Sequence, residues 1–258
     1  MRYTRAVRGA AGIALAVAVA ELVSRVGLID PASLPPASTV LTRVVELVAD
    51  AEFLADVGAT LMAWAAGLLL AVAVAVPAGI ALGSIAWLGT ASRGVVELLR
   101  PIPSVALLPL AIIMFASTTN VKIALVVYAA TWPILVNTLY ALRDVDPLAK
   151  ETLRSFGFGP LSVLWRVTLP SAAPFIATGI RVSASIGLIV VISAELFAGG
   201  DGGIGTYLLQ TQSAGGQTDF LLAGAIWAGL LGLIINAILV QTERRTFQWH
   251  AARTEATS

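Results

Sequence analysis

Residues 220–242 read Phe220-Leu221-Leu222-Ala223-Gly224-Ala225-Ile226-Trp227-Ala228-Gly229-Leu230-Leu231-Gly232-Leu233-Ile234-Ile235-Asn236-Ala237-Ile238-Leu239-Val240-Gln241-Thr242. These 23 positions carry no ionisable side chain and are bracketed by Asp219 and Glu243. About 20 mainly apolar residues cross about 30 Å of hydrocarbon as a helix, so the segment is long enough to span a bilayer. The same punctuation recurs upstream. Between Asp56 and Arg93 lie 36 uncharged residues that begin Val57-Gly58-Ala59-Thr60-Leu61 and include Pro77. Another 21 lie between Arg100 and Lys122, and 20 between Lys122 and Arg143. Residues 172–196 are apolar except for Arg181 and Glu195. The stretch 6–28 has a clean apolar run over 9–20, then Glu21 and Arg25.

The chain therefore reads as an all-α integral membrane protein with six transmembrane helices, each of the three intervals 101–121, 123–142 and 220–242 fitting one helix. A rival reading exists at the first span. Arg2, Arg5 and Arg8 form a basic start, and Ala18-Val19-Ala20 resembles a signal-peptidase site. The apolar pattern resumes at Leu22, Val23, Val26 and Leu28, which favours a retained helix.

Composition agrees. Of 258 residues, 58% are hydrophobic and 12% charged, with mean hydropathy +0.89. A soluble domain carries about 25% charged residues, so half the usual charge is missing. With no cysteine, a single histidine (His250) and a net charge of +1, disulfide scaffolds, thiol catalysis, multi-histidine metal sites and nucleic-acid binding are excluded. No catalytic residue and no metal ligand set is expected.

Basic residues orient the spans. With the N-terminus in the cytoplasm, twelve of the 16 Lys and Arg fall inside, among them Arg93, Arg100, Arg143, Lys150 and Arg166. Arg25, Arg43 and Lys122 fall outside, and Arg181 lies within a span. Both termini are then cytoplasmic.

The connections carry further signals. The outside segment 30–56 opens with Pro31, Pro35 and Pro36, which favour an extended start. Apolar residues at 40, 41, 44, 45, 47 and 48, after a Ser38-Thr39 cap, predict a short amphipathic helix at the outer membrane surface. The outside segment 198–218 is rich in glycine but lacks the Gly-Lys-Ser/Thr of a phosphate loop. It reads as a mobile or re-entrant loop, and the chain has no ATP site of its own.

The inside segment 143–171 is the longest. Asp146 is placed to cap a helix with Pro147 at its first position. Leu148, Thr152, Leu153 and Phe156 then share a face, and Gly157 and Gly159 are placed to close the helix. A second short helix would carry Leu161, Leu164, Trp165 and Thr168 until Pro170 redirects the chain. Such a pair suits either docking of another protein or a hairpin on the membrane surface.

Glu151, Gly157 six positions later and Val167-Thr168-Leu169-Pro170 resemble the EAA loop of permease subunits in binding-protein-dependent ABC importers. The family's Glu-Ala-Ala stands here as Glu151-Thr152-Leu153. Leu99-Arg100-Pro101-Ile102-Pro103, Trp132-Pro133-Ile134-Leu135-Val136-Asn137-Thr138, Gly179-Ile180-Arg181, Ala194-Glu195-Leu196 and Glu243-Arg244-Arg245 resemble its nitrate/sulfonate/taurine/bicarbonate group. The likeness runs from about Leu34 to Trp249. It implies a type I ABC importer permease fold, a single transmembrane domain over 1–258 containing a coupling loop at 143–171, in a bacterial cytoplasmic (inner) membrane.

It also implies partners: two cytosolic ATPase subunits that use ATP and Mg, a second permease chain (a copy or a relative) and a periplasmic or lipid-anchored binding protein. Asp146, Glu151, Leu153, Gly157, Leu161, Leu169 and Pro170 would couple to the ATPase. The solutes of this group run from nitrate, sulfonates and bicarbonate to aromatic acids and pyrimidines, and a small anion is the expectation here.

Candidates for the pathway or gate are Pro101, Pro103, Ser104, Asn137, Arg181, Ser183 and Glu195. Prolines free a backbone carbonyl, which is tolerated where a cavity or partner satisfies it. A charge in a span faces a bundle interior or wet cavity. Arg181 and Glu195 are fourteen residues apart, about 21 Å at 1.5 Å per residue, too far to pair within one helix. Arg181 is a candidate positive station for an anion, or half of an ion pair with another span. A secondary carrier or channel would need mid-membrane ionisable groups and inverted repeats, and an intramembrane hydrolase an embedded base. The sequence shows neither.

Overall fold

A computed structural model describes residues 2–30 and 32–247, with side chains from residue 7 onward. Pro31, Trp249, His250 and Arg253 therefore lie outside the described residues, as do the side chains of Arg2 and Arg5. The described residues form helices joined by short turns and irregular connections, with no strand among them. In order they form α1 (Arg2–Arg25), α2 (Ala37–Glu46), α3 (Ala51–Ser84), α4 (Ala86–Leu99), α5 (Leu108–Met114) and α6 (Thr118–Arg143). The remainder is α7 (Pro147–Ser155), α8 (Pro160–Val163), α9 (Leu169–Ala198), α10 (Ile204–Ala214) and α11 (Thr218–Thr246).

Among the described residues, five helical runs are long and apolar enough to cross a membrane: Val7–Arg25, Ala51–Ser84, Thr118–Arg143, Pro160–Ala198 and Thr218–Thr246. A sixth arises if Ala86–Leu99 and Ser104–Met114, bent by 81°, count as one broken span. The interval 101–121 is therefore not one straight helix. Pro101, Pro103 and Pro109 remove three donors close together, and α5 is left with seven residues, about 10 Å of rise. Lys122 is corrected too: it lies buried inside α6 rather than in a connection.

By packing, the chain divides into two compact units. One comprises Met1–Thr60 and Glu195–Leu231, the other Leu61–Ala194 and Gly232–Ser258.

In the first unit, Val40, Leu47, Phe53 and Ala223 form a core with Val44, Val57, Tyr207, Phe220 and Trp227 packed against it. Phe53 meets Tyr207 edge-on at 5.0 Å between ring centroids. The amphipathic helix expected near residue 40 is α2, and it packs on protein. Its Val44 carbonyl accepts from Trp227 Nε1 at 2.9 Å, and Arg43 pairs with Asp219 at 2.7 Å and Glu46 at 2.6 Å. The Ser38-Thr39 cap is corrected: Pro36 precedes the helix, with no side-chain cap of its own. Glu21 of α1 takes that role, accepting from the Ser38 amide and hydroxyl at 2.9 Å each. A carboxylate near a helix start is favoured by the exposed amides there.

In the second unit, Leu68, Ala71 and Ala75 of α3, Ala130, Ile134 and Leu135 of α6 and Ala184 of α9 form the core. Its small residues let helices approach closely, the usual solution where lipid offers no hydrophobic drive between helices. Pro77, Pro133 and Pro174 sit inside continuous α3, α6 and α9. At Gly179 an added Cβ would lie 2.7 Å from Asn137 Cβ and 3.3 Å from the Pro133 carbonyl oxygen. Gly179→Ala should thus force α9 off α6, destabilising by about 1–3 kcal/mol as overpacking does. Thermal unfolding in detergent measures it, and an unchanged midpoint would show that this crossing yields.

Candidate coupling loop and charged sites

The loop 143–171 is folded. The Asp146 carboxylate accepts from the Leu148 amide at 2.8 Å, and Pro147 begins α7. At the other end Gly157 has φ +82°. Its amide donates to the Arg154 carbonyl at 2.9 Å, and the Phe158 amide to the Leu153 carbonyl at 3.1 Å. This is the paired closure of a Schellman motif, which favours glycine at the left-handed position. Gly159 does not close α7; its φ is −70° and it precedes α8.

Pro170 does not redirect the chain either. α8 passes through a π-turn at Leu164–Thr168 directly into α9, with Pro170 in the first turn of α9. A widened turn ahead of a proline relieves the clash of its ring with the carbonyl four residues back.

The loop is tied down at its base. Ala141, Val145 and Ala172 are buried with Val167 and Ile176 against them, and Lys150 Nζ donates to the Leu142 carbonyl at 3.1 Å. A cavity of about 480 Å³ lies between the loop helices and the ends of α3 and α6, lined by Gly83, Leu142, Lys150, Arg154, Leu161 and Thr168 among others. Phe156 is 79% and Trp165 65% exposed, and Leu148 and Leu161 are exposed as well. Glu151 is exposed, Leu153 and Leu169 half-buried, and Pro170 exposed.

The two charges of the fifth span have different surroundings. Arg181 Nε lies 2.9 Å from Glu243 Oε2, off the line of its N–H, an ion pair between α9 and α11. Thr178 donates to the other Glu243 oxygen at 2.7 Å.

Glu195 is fully buried in the first unit. Thr60 Oγ1 lies 2.9–3.0 Å from both of its oxygens, and the Gly205 amide donates to it at 3.1 Å. The Ile204 amide donates to Thr60 Oγ1 at 2.9 Å, and the Gly203 amide to Asp56 at 2.7 Å. Three side chains thus satisfy the first amides of α10, which otherwise lack partners. The glycine-rich segment is corrected accordingly: its middle is an eleven-residue helix with an anchored start. On α10, burial pushes the Tyr207 phenol above the usual tyrosine range. On α2, hydrogen bonds to Glu46 and then Asp219 hold Arg43 above its ordinary value.

Of the remaining candidates, Ser183 is buried and donates to the Ala130 carbonyl at 2.8 Å. Asn137 donates to the Pro133 carbonyl at 2.8 Å and lines a cavity of about 300 Å³ with Tyr140, Arg143 and Phe175. Pro101 and Pro103 are exposed and Ser104 half-exposed at the α4–α5 bend. Sequence reasoning missed Thr60, Asp56 and Glu243 as partners. Their only signal was that a buried charge needs one.

These features define a polytopic helical membrane protein with a folded loop between two spans. Residues 71–248 match the family "binding-protein-dependent transport system inner membrane component", and the chain belongs to it. It is an ABC importer permease, a multi-pass inner-membrane protein, and an ATP-independent carrier is set aside. It is similar to the taurine transport system permease protein TauC of Escherichia coli, 31% identical over 92% of this chain and 88% of that one. It is also similar to the nitrate import permease protein NrtB of Leptolyngbya laminosa, 27% identical over 71% of this chain and 65% of that protein. An inward-facing MetNI methionine ABC transporter shares the fold, with TM-score 0.64 at 19% identity over 74% of this chain and 94% of that one.

Proposed function

We propose that this chain forms the translocation pathway of an ATP-driven importer for a small anionic solute, and that the loop 146–170 receives a cytosolic ATPase. The supporting observation is the folded loop with its outward apolar side chains. Leu148, Phe156, Leu161 and Trp165 expose large apolar area on a segment otherwise anchored by caps and a buried base. Apolar area of that kind beside Glu151 fits a partner protein. In this reading both termini are cytoplasmic, 1–258 is one permease domain, and this chain and a second permease, a copy or a relative, pair with two ATPase subunits that bind ATP and Mg. A binding protein delivers solute from outside, and nucleotide-driven closure of the ATPases moves the loop and the spans together. The anionic solute class is supported by the names of the taurine and nitrate relatives.

The test is affinity purification of the tagged chain from its native membrane in mild detergent, with native mass spectrometry of what accompanies it. An ATPase subunit at one per permease chain is expected. Leu161→Asp together with Trp165→Asp should abolish its recovery while leaving the permease folded, since both side chains are exposed. Recovery of the wild-type chain alone would overturn the reading.

A further inference from the structure

Arg181 is occupied by Glu243, which leaves open where an anion would meet positive charge. A cavity of about 330 Å³ lies between α4 and the last turns of α6, lined by Ser92, Arg93, Glu97, Arg100, Tyr140 and Arg143 among others. The α4 positions recur every three to four residues, so one face of that helix supplies them. Among the described residues, neither these arginines nor Glu97 forms an ion pair. Three guanidiniums against one carboxylate leave an excess of two positive charges around a single space.

Helix ends explain only part of this. Arg100 and Arg143 stand at the C-terminal ends of α4 and α6, where a cation is favoured. Arg93 lies in the middle of α4, and helix-end charge does not require two helices to aim at one cavity. Arg93, Glu97, Arg100 and Arg143 are all exposed, so the space is open to an ion from outside the protein. The volume is at the small end of ligand sites.

We propose that this cavity is an oxyanion station on the transport path. Arg93, Arg100 and Arg143 would hold the sulfonate, phosphate or carboxylate head of the solute, and the Ser92 and Tyr140 hydroxyls would complete its hydrogen bonds. Glu97 keeps the site weak enough for the ion to leave, as conduction demands. The inference rests on the importer reading above. A phospholipid headgroup offers the same phosphate chemistry, and basic pockets between membrane helices bind such headgroups.

The experiment uses the complex of this chain with its co-purified ATPase, in nanodiscs of phosphatidylcholine alone. The probes are ³⁵S-labelled ethanesulfonate and ³²P-labelled inorganic phosphate, read by scintillation proximity. Saturable binding of at least one probe is expected. Arg93→Gln and Arg100→Gln should each weaken it about tenfold or more, the scale of a lost charge-assisted hydrogen bond. Glu97→Gln should tighten it several-fold, a gain that misfolding does not mimic.

Wild-type affinity in the Arg93→Gln/Arg100→Gln double variant would overturn the inference, as would no binding of either probe. Phosphatidylglycerol that survives purification on the wild-type complex, excludes both probes and is lost from the double variant would assign the site to a headgroup and overturn the solute station. In each of these cases an assembled complex that hydrolyses ATP leaves the importer reading standing. Failure of any ATPase to co-purify overturns both.

Discussion

Glu195→Ala is expected to lower the thermal midpoint of the purified protein by roughly 6–12 °C and to expose the start of α10 to exchange. The carboxylate is 0% exposed and serves both Thr60 Oγ1 and the Gly205 amide. Removing it strands two buried groups at about 1–3 kcal/mol each. A loss of about 3 kcal/mol shifts a chain of this size by 2–4 °C per kcal/mol, which gives the range above. Gly203→Ala probes the same node from the other side. Gly203 sits at φ +131° with its α-carbon against Glu195, so an added Cβ would overlap the carboxyl group. Hydrogen exchange followed by mass spectrometry should show deprotection of 203–207 in both variants. If Glu195→Ala melts within a degree of the wild type, the Phe53–Tyr207 contact holds α10 instead.

That node also shows where reading the chain stops. Charge punctuation placed the spans because lipid excludes charge, a rule that needs no tertiary information. It worked for α3 and α11, misplaced the start of α6 at Lys122, and gave no boundary for α9 with its internal Arg181 and Glu195. It failed at 101–121, where the apolar count was adequate but three prolines left only short helical pieces. The cap at Asp146 and the turn at Gly157 were legible because both are made within ten residues of chain. Pro170 was not. Whether a proline breaks a helix depends on the turn before it, and the π-turn at Leu164–Thr168 leaves no mark in composition.

Partners of buried charges lie at separations the sequence does not reveal. Thr60 and Glu195 are 135 residues apart, and Arg43 and Asp219 are 176 apart. A polar residue in a span announces that a partner exists; packing alone decides which. The same gap separates Arg93, Arg100 and Arg143 as markers of topology from their convergence on one cavity.

Gly157→Val should leave the spans intact and uncouple them from ATP. The glycine is at φ +82°, and a Cβ there would meet nothing within 4 Å, so the penalty is conformational. A left-handed β-branched residue costs about 1–2 kcal/mol or more, which lowers the ratio of native to non-native turn about fivefold to thirtyfold. ATP-driven uptake in proteoliposomes should fall, by that factor at most. The melting midpoint should stay close to wild type, because α7 is exposed and adds no buried residue to the core. Gly157→Asn, which tolerates the left-handed region better, should restore much of the uptake. This graded pair separates a turn that transmits force from one that merely connects helices. If the valine variant transports like the wild type, the Leu153–Phe158 closure is ornamental and the motion must pass through the buried base at Ala141, Val145 and Ala172. If it fails while ATP hydrolysis continues, the ends of α7 and α8 must keep their native angle for the cycle to reach the membrane.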